Sequence, residues 1–162
     1  ANIEVICNTA EVKVSKGAEV DVEINASSDL SFSSAGTSKT FINVKANSLT
    51  LASSGSSTVE AVVDVEDMKV DNSGMSNVTV VSGKTGSLQV DASGSAKFNS
   101  GDVVIPTAYM IQSGSSKSLV NVSDTLKVNL VGNSTLEFKD NPYIDLERIV
   151  SSTLTRYSES SK

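Results

Sequence analysis

Six glycines recur at positions 36, 55, 74, 94, 114 and 132, with spacings of 19, 19, 20, 20 and 18 residues. Each lies in a small polar cluster, as in Ser34-Ala35-Gly36-Thr37-Ser38, Ser54-Gly55-Ser56-Ser57, Ser73-Gly74-Met75-Ser76 and Ser113-Gly114-Ser115-Ser116. Self-similarity at such a period marks a stacked-repeat architecture. The flanks repeat as well. Six residues before the glycines stand Leu30, Leu49, Met68, Leu88, Ala108 and Leu126, and four before stand Phe32, Leu51, Val70, Val90, Met110 and Val128. Four after come Thr40, Val59, Val78, Phe98, Ser118 and Leu136, and six after come Ile42, Ala61, Val80, Ser100, Val120 and Phe138. Apolar positions alternate with polar ones, which is the period of a strand with one buried face. Each repeat reads as strand, small-residue corner, strand and a more variable return.

One such repeat cannot bury its apolar stripe, so the repeats must stack, with like residues forming columns about 4.8 Å apart. A tight corner wants positive φ or close backbone approach, and glycine supplies both cheaply. Serines beside it can bond to corner backbone groups or to one another. The expected fold is all-β: a single-stranded parallel β-helix, or solenoid, of about six to eight coils with one domain over 1–162. Residues 1–28 form an N-terminal cap or first coil, because Gly17 lies 19 residues before Gly36. Core coils fill 29–142. A last coil and tail occupy 143–162, where Ser152-Thr153-Leu154 echoes Ser134-Thr135-Leu136 and places Val150 at the glycine position. The polar tail Ser158–Lys162 is expected to fray.

Composition narrows function by exclusion. A net charge of −6 without a basic stripe makes nucleic acid a poor partner. No run approaches the roughly 20 apolar residues needed for a membrane-spanning helix, and no leader is visible at Ala1. Cys7, the single cysteine, sits in the apolar strand Ile3–Cys7 and reads as a buried inert thiol. There is no His to activate a serine or a thiol. Phosphate-loop, dinucleotide, zinc and nucleophile-elbow signatures are absent, so no cofactor and no metal is expected.

The Ser-Gly-Ser-Ser corners resemble those of the auto-transporter adhesin head GIN domain family. So does the ending, in which Leu126-Lys127-Val128 leads to Gly132-Asn133-Ser134 and then to Phe138-Lys139-Asp140-Asn141-Pro142. The likeness runs from about Asp29 to Tyr157, with departures at Val131 and Val150. It implies a right-handed β-helix exported to the cell envelope or the extracellular space, without established catalytic residues. A cell-surface protein or a glycan would be the partner.

Candidate sites come from reading the columns. Three residues before the glycines stand Ser33, Ala52, Asp71, Asp91, Ile111 and Asn129, so Asp71 and Asp91 stack on an outward position. Two such carboxylates can share a proton or a cation, can sit in a hydrolase, or can simply be solvated beside Lys69. Three after the glycines stand Lys39, Thr58, Asn77, Lys97, Lys117 and Thr135, which reads as a solubility feature. The acidic stretch Glu60–Asp67 is expected to face solvent on the return strand, with calcium as the alternative. Tyr109 is outward and a weak ligand candidate, whereas Phe32, Phe98 and Phe138 fall inward. The apolar run Asp102–Thr107 around Pro106 marks a bulge or a short extruded loop. These features favour a non-enzymatic surface or structural module. A carbohydrate-active enzyme, or a subunit that stacks coaxially through exposed end strands, is the alternative.

Overall fold

The computed structural model describes residues 2–159. Among the described residues thirteen strands follow one another without a helix: β1 (Asn2–Cys7), β2 (Ala10–Val14), β3 (Glu19–Ala26), β4 (Asp29–Ser34), β5 (Lys39–Lys45), β6 (Ser48–Ser53) and β7 (Thr58–Asn72). They continue as β8 (Asn77–Ala92), β9 (Lys97–Gln112), β10 (Lys117–Val131), β11 (Thr135–Lys139), β12 (Tyr143–Val150) and β13 (Thr153–Arg156). All recorded pairings are parallel. Together they form a β-solenoid of about 8 turns spaced ~19 residues apart. Segments after the glycines stack into one face, in the order β1-β3-β5-β7-β8-β9-β10-β11-β13. Segments before the glycines stack into the opposite face, from β2, β4 and β6 through the second halves of β7 to β10 and on to β12.

The two faces meet at the glycine corner. Gly17 and the six repeat glycines all have φ between 70° and 80°, a left-handed region that penalises side chains. The corners also bond to one another. From Gly36 to Gly114 each repeat glycine's carbonyl accepts the N–H of the residue after the next glycine, as in Ser56→Gly36 (2.8 Å), Met75→Gly55 (2.8 Å), Ser95→Gly74 (2.8 Å) and Ser115→Gly94 (2.7 Å). Behind the corner the buried serines bridge its two sides. Ser34 and Ser38 hydroxyls lie 2.7 Å apart, Ser53 and Ser57 2.8 Å apart, and Asn72 replaces the first serine in the pair with Ser76. Ser57 and Ser76 also donate to the carbonyls of Ser54 and Ser73. Buried hydroxyls cost stability unless bonded, and at these three corners the paired side chains satisfy one another; at Gly94 the same two inward positions are Ala92 and Ala96.

The inward columns form one core, with Phe32, Ile42, Leu51, Val70, Phe98, Met110, Val128 and Leu136 among its buried members. Phe138 closes its column at 9% exposure. The acidic stretch faces solvent as expected, with Glu60, Asp64, Glu66 and Asp67 exposed and Val59, Ala61, Val63 and Val65 buried between them.

The edge opposite the glycine corner is irregular. Val81 is an extra residue where β7 and β8 pair, because Ala61 faces Val80 and Val62 faces Ser82. Residues 101–103 are skipped where β9 meets β10, since Val120 faces Ser100 and Asn121 faces Val104. The expected irregularity near Pro106 is therefore a bulge within continuous β9. Val103 and Ile105 pack into the core, while Pro106 stays outside.

Two expectations are corrected. The last corner falls on Ser151 (φ 54°), not Val150. Register counting missed an extra residue in β12: Val128 faces Leu146 and Asn129 faces Arg148, so Glu147 is bulged out. Cys7 is half-buried rather than buried, because β1 pairs only with β3 and has no coil beyond it among the described residues. At the far end Arg156 occupies an inward register position opposite Phe138 and is exposed. Of the tail expected to fray, residues 160–162 lie outside the described residues.

Candidate functional site

Asp71 and Asp91 are register partners on adjacent coils of the pre-glycine face, both exposed. Strand alternation puts them outward because Val70, Asn72, Val90 and Ala92 point in. Neither has an ion pair among the described residues, and no group of three or more His, Cys, Asp or Glu converges there as a metal set would. Asp91 faces Ile111, and Tyr109 faces Gln89, which precedes Asp91 by two residues on the same strand. The three candidates named by sequence thus share one face on three successive coils, in two neighbouring outward columns.

Tyr109 is more constrained than an outward tyrosine need be. Its hydroxyl donates to Glu147 Oε2 at 2.7 Å. Lys127, its register partner on β10, places Nζ 2.7 Å from Glu147 Oε1 and 5.1 Å from the centre of the Tyr109 ring. The three groups tune one another. The hydrogen bond to Glu147 raises the Tyr109 hydroxyl above its ordinary range and does the same for the Lys127 ammonium. Lys127 first and Tyr109 second hold Glu147 below the ordinary carboxyl value. This network uses the one carboxylate that the β12 bulge pushes outward. Sequence reading missed Glu147 because the residue spacing hides the bulge that brings it to Tyr109, whereas Lys127 stands five residues before its glycine, as Tyr109 does, in a column that was not read.

The post-glycine face carries two shallow grooves along its outward columns. The first, about 520 Å³, is lined by Glu19, Asp21, Lys39, Phe41, Thr58 and Glu60 among others. The second, about 380 Å³, is lined by Lys97, Asn99, Lys117, Leu119, Thr135 and Glu137. Lys97 and Lys117 are register partners, as the column reading expected. Phe41, 38% exposed on the first groove, escaped that reading because it alternates with buried Thr40 and Ile42 in the normal way.

A family model described as "Putative auto-transporter adhesin, head GIN domain" matches residues 4–142. No curated protein and no solved structure matches the chain. The family match covers the repeat coils and stops at Pro142, before the bulged β12 and the glycine-free last corner.

Proposed function

The chain belongs to the auto-transporter adhesin head GIN domain family, and from that premise we propose that it is a non-enzymatic, surface-displayed binding module exported to the cell envelope. The observation that carries this reading is the pre-glycine face. Its outward columns hold Lys69, Gln89, Tyr109 and Lys127 beside Asp71, Asp91, Ile111 and Asn129 on successive coils. A stack of parallel strands with a packed core presents such groups on a rigid surface at a fixed repeat, which lowers the ordering cost of binding an extended partner. Asp71, Asp91 and Tyr109 are the contacts assigned to that partner, a glycan or a surface protein.

The test is a glycan array run alongside binding to protein-coated surfaces and a polysaccharide depolymerisation screen. Binding without turnover is the expected result, weakened by Asp71→Ala with Asp91→Ala. The stacked carboxylates favour one rival, a carbohydrate-active enzyme in which the pair carries acid–base chemistry. Turnover lost on Asp71→Asn or Asp91→Asn would establish that rival instead. Coaxial assembly is a third reading, and Arg156 weighs against it, because an inward-pointing charge on a terminal strand is a recognised guard against edge pairing. Light scattering over a concentration series decides that point.

A further inference from the structure

Two grooves occupy the same columns of the post-glycine face, and their charges are opposed. The first holds Glu19, Asp21 and Glu60 against Lys39, a balance of three negative charges to one positive. The second holds Lys97 and Lys117 against Glu137, two positive to one negative. Lys97 and Lys117 face one another across adjacent coils, are both exposed, and form no ion pair among the described residues. Like charges directly opposite each other on a sheet are destabilising. In a chain of net charge −6, with acidic groups available on the same face, an unneutralised lysine pair is a local reversal.

We propose that the Lys97–Lys117 groove is a second binding site, on the face opposite Asp71 and Asp91, that takes an anionic polysaccharide through its carboxylate or sulfate groups; it rests on the adhesive reading above and goes beyond the face assigned there. Three features select this ligand. Two lysines are too few for nucleic acid, whose binding scales with the number of phosphates neutralised. The lysines repeat at the coil separation of about 4.8 Å, comparable to the length of one sugar residue. A polymer with one acidic group per residue therefore meets successive lysines while running along the solenoid axis. Asn99 and Thr135, which line the same groove, supply donors and acceptors for hydroxyls, and the half-buried Leu119 offers an apolar patch between them.

The test uses oligomers of a uronic acid polymer and the same oligomers after reduction of their carboxyl groups, titrated by calorimetry against the whole chain. The charged oligomer is expected to bind at least about tenfold more tightly than the reduced one, a difference that salt erodes. Lys97→Gln with Lys117→Gln should remove that preference, while Glu137→Gln should enhance it. Melting curves establish that each variant folds, and all three residues lie on the outer face that lines the groove. Equal affinity for the two oligomers, or a preference that survives loss of both lysines, overturns the inference while leaving the adhesive reading intact. Wild-type chain that binds no carbohydrate and no protein surface overturns both.

Discussion

The glycine corner and the edge opposite it obey different rules, although the same strands run between them. At the corner the seven glycines repeat the same positive φ, the inner ones add the same N–H to glycine carbonyl bond, and the corners at Gly36, Gly55 and Gly74 add a buried side-chain bridge. Across the solenoid, coil lengths of 18 to 20 residues are reconciled by Val81, by residues 101–103 and by Ser123-Asp124, which fall between the pairs Val122↔Ile105 and Thr125↔Thr107. One edge sets the register and the other absorbs whatever length is left over. A stack needs only one strict edge, because register fixed at one point of each coil is carried by strand alternation to the rest.

The most severe way to break that contrast is to insert a residue at each edge. One alanine between Ser73 and Gly74 shifts the corner and turns a strand's apolar positions outward, so cooperative unfolding is expected to vanish in a calorimetric scan. The same insertion between Ser123 and Asp124, both exposed, should cost about 1 kcal/mol or less, since surface connections accept extra length cheaply. Equal damage at both sites would show that the edges do not differ.

Gly83 sharpens the comparison from the irregular side. Its φ is 120°, and a Cβ there would lie 1.8 Å from the Val63 carbonyl oxygen. Gly83→Ala should cost about 3–5 kcal/mol, placing one strict position within the tolerant edge. Corner substitutions come next. A Cβ on Gly74 would stand 2.8 Å from the Gly55 oxygen, the same atom that accepts from Met75. Gly74→Val is expected to cost about 3 kcal/mol, or roughly 6–12 °C in melting temperature for a chain of this size. At Gly17 the nearest obstacle is a Thr37 side-chain oxygen at 3.3 Å, so Gly17→Val should lose only about 1 kcal/mol, from φ alone. Matching losses at Gly17 and Gly74 would mean that φ, not the stacked backbone, makes the corner intolerant.

The same division explains what could be read from sequence. The corner was legible because glycine is the residue type its φ requires and recurs from coil to coil, with serines beside it that form buried bridges at Gly36, Gly55 and, with Asn72, at Gly74. The inward columns followed from alternation, including the unusual Ser100 and Ser118, both buried. Asp71 and Asp91 stack as their equal distance from successive glycines required. The bulges were hidden because an extra outward residue has no composition of its own. Val81 resembles any strand valine, and Glu147 any surface glutamate. Missing Glu147 moved the last corner from Ser151 to Val150 and concealed the partner of Tyr109. Gly83 was passed over for a related reason: it stands outside the ladder, and its requirement comes from the neighbouring coil's backbone.

The smallest expected effect concerns that hidden bulge. Glu147 is held by Lys127 and Tyr109, and its carboxyl titrates below the ordinary 4.5 of a glutamate. A depressed folded-state value means that the stabilising contribution is complete above the unfolded value and is lost as pH falls through the lower one. Tyr109 and Lys127 are raised, so their contribution is complete below their ordinary values of 10.0 and 10.5 and fades as pH rises through the raised ones. The network should therefore be whole from mildly acidic pH to near 10 and weaken at either extreme. Amide exchange of β12, corrected for the intrinsic pH dependence of exchange, should show this plateau. Glu147→Gln should remove its acid limb, leaving the protection of β8 and β9 unchanged. A β12 profile identical in wild type and Glu147→Gln would show that backbone pairing to β10 alone holds the bulge. The terminal coil would then be as self-sufficient at its irregular strand as the inner coils are at their glycines.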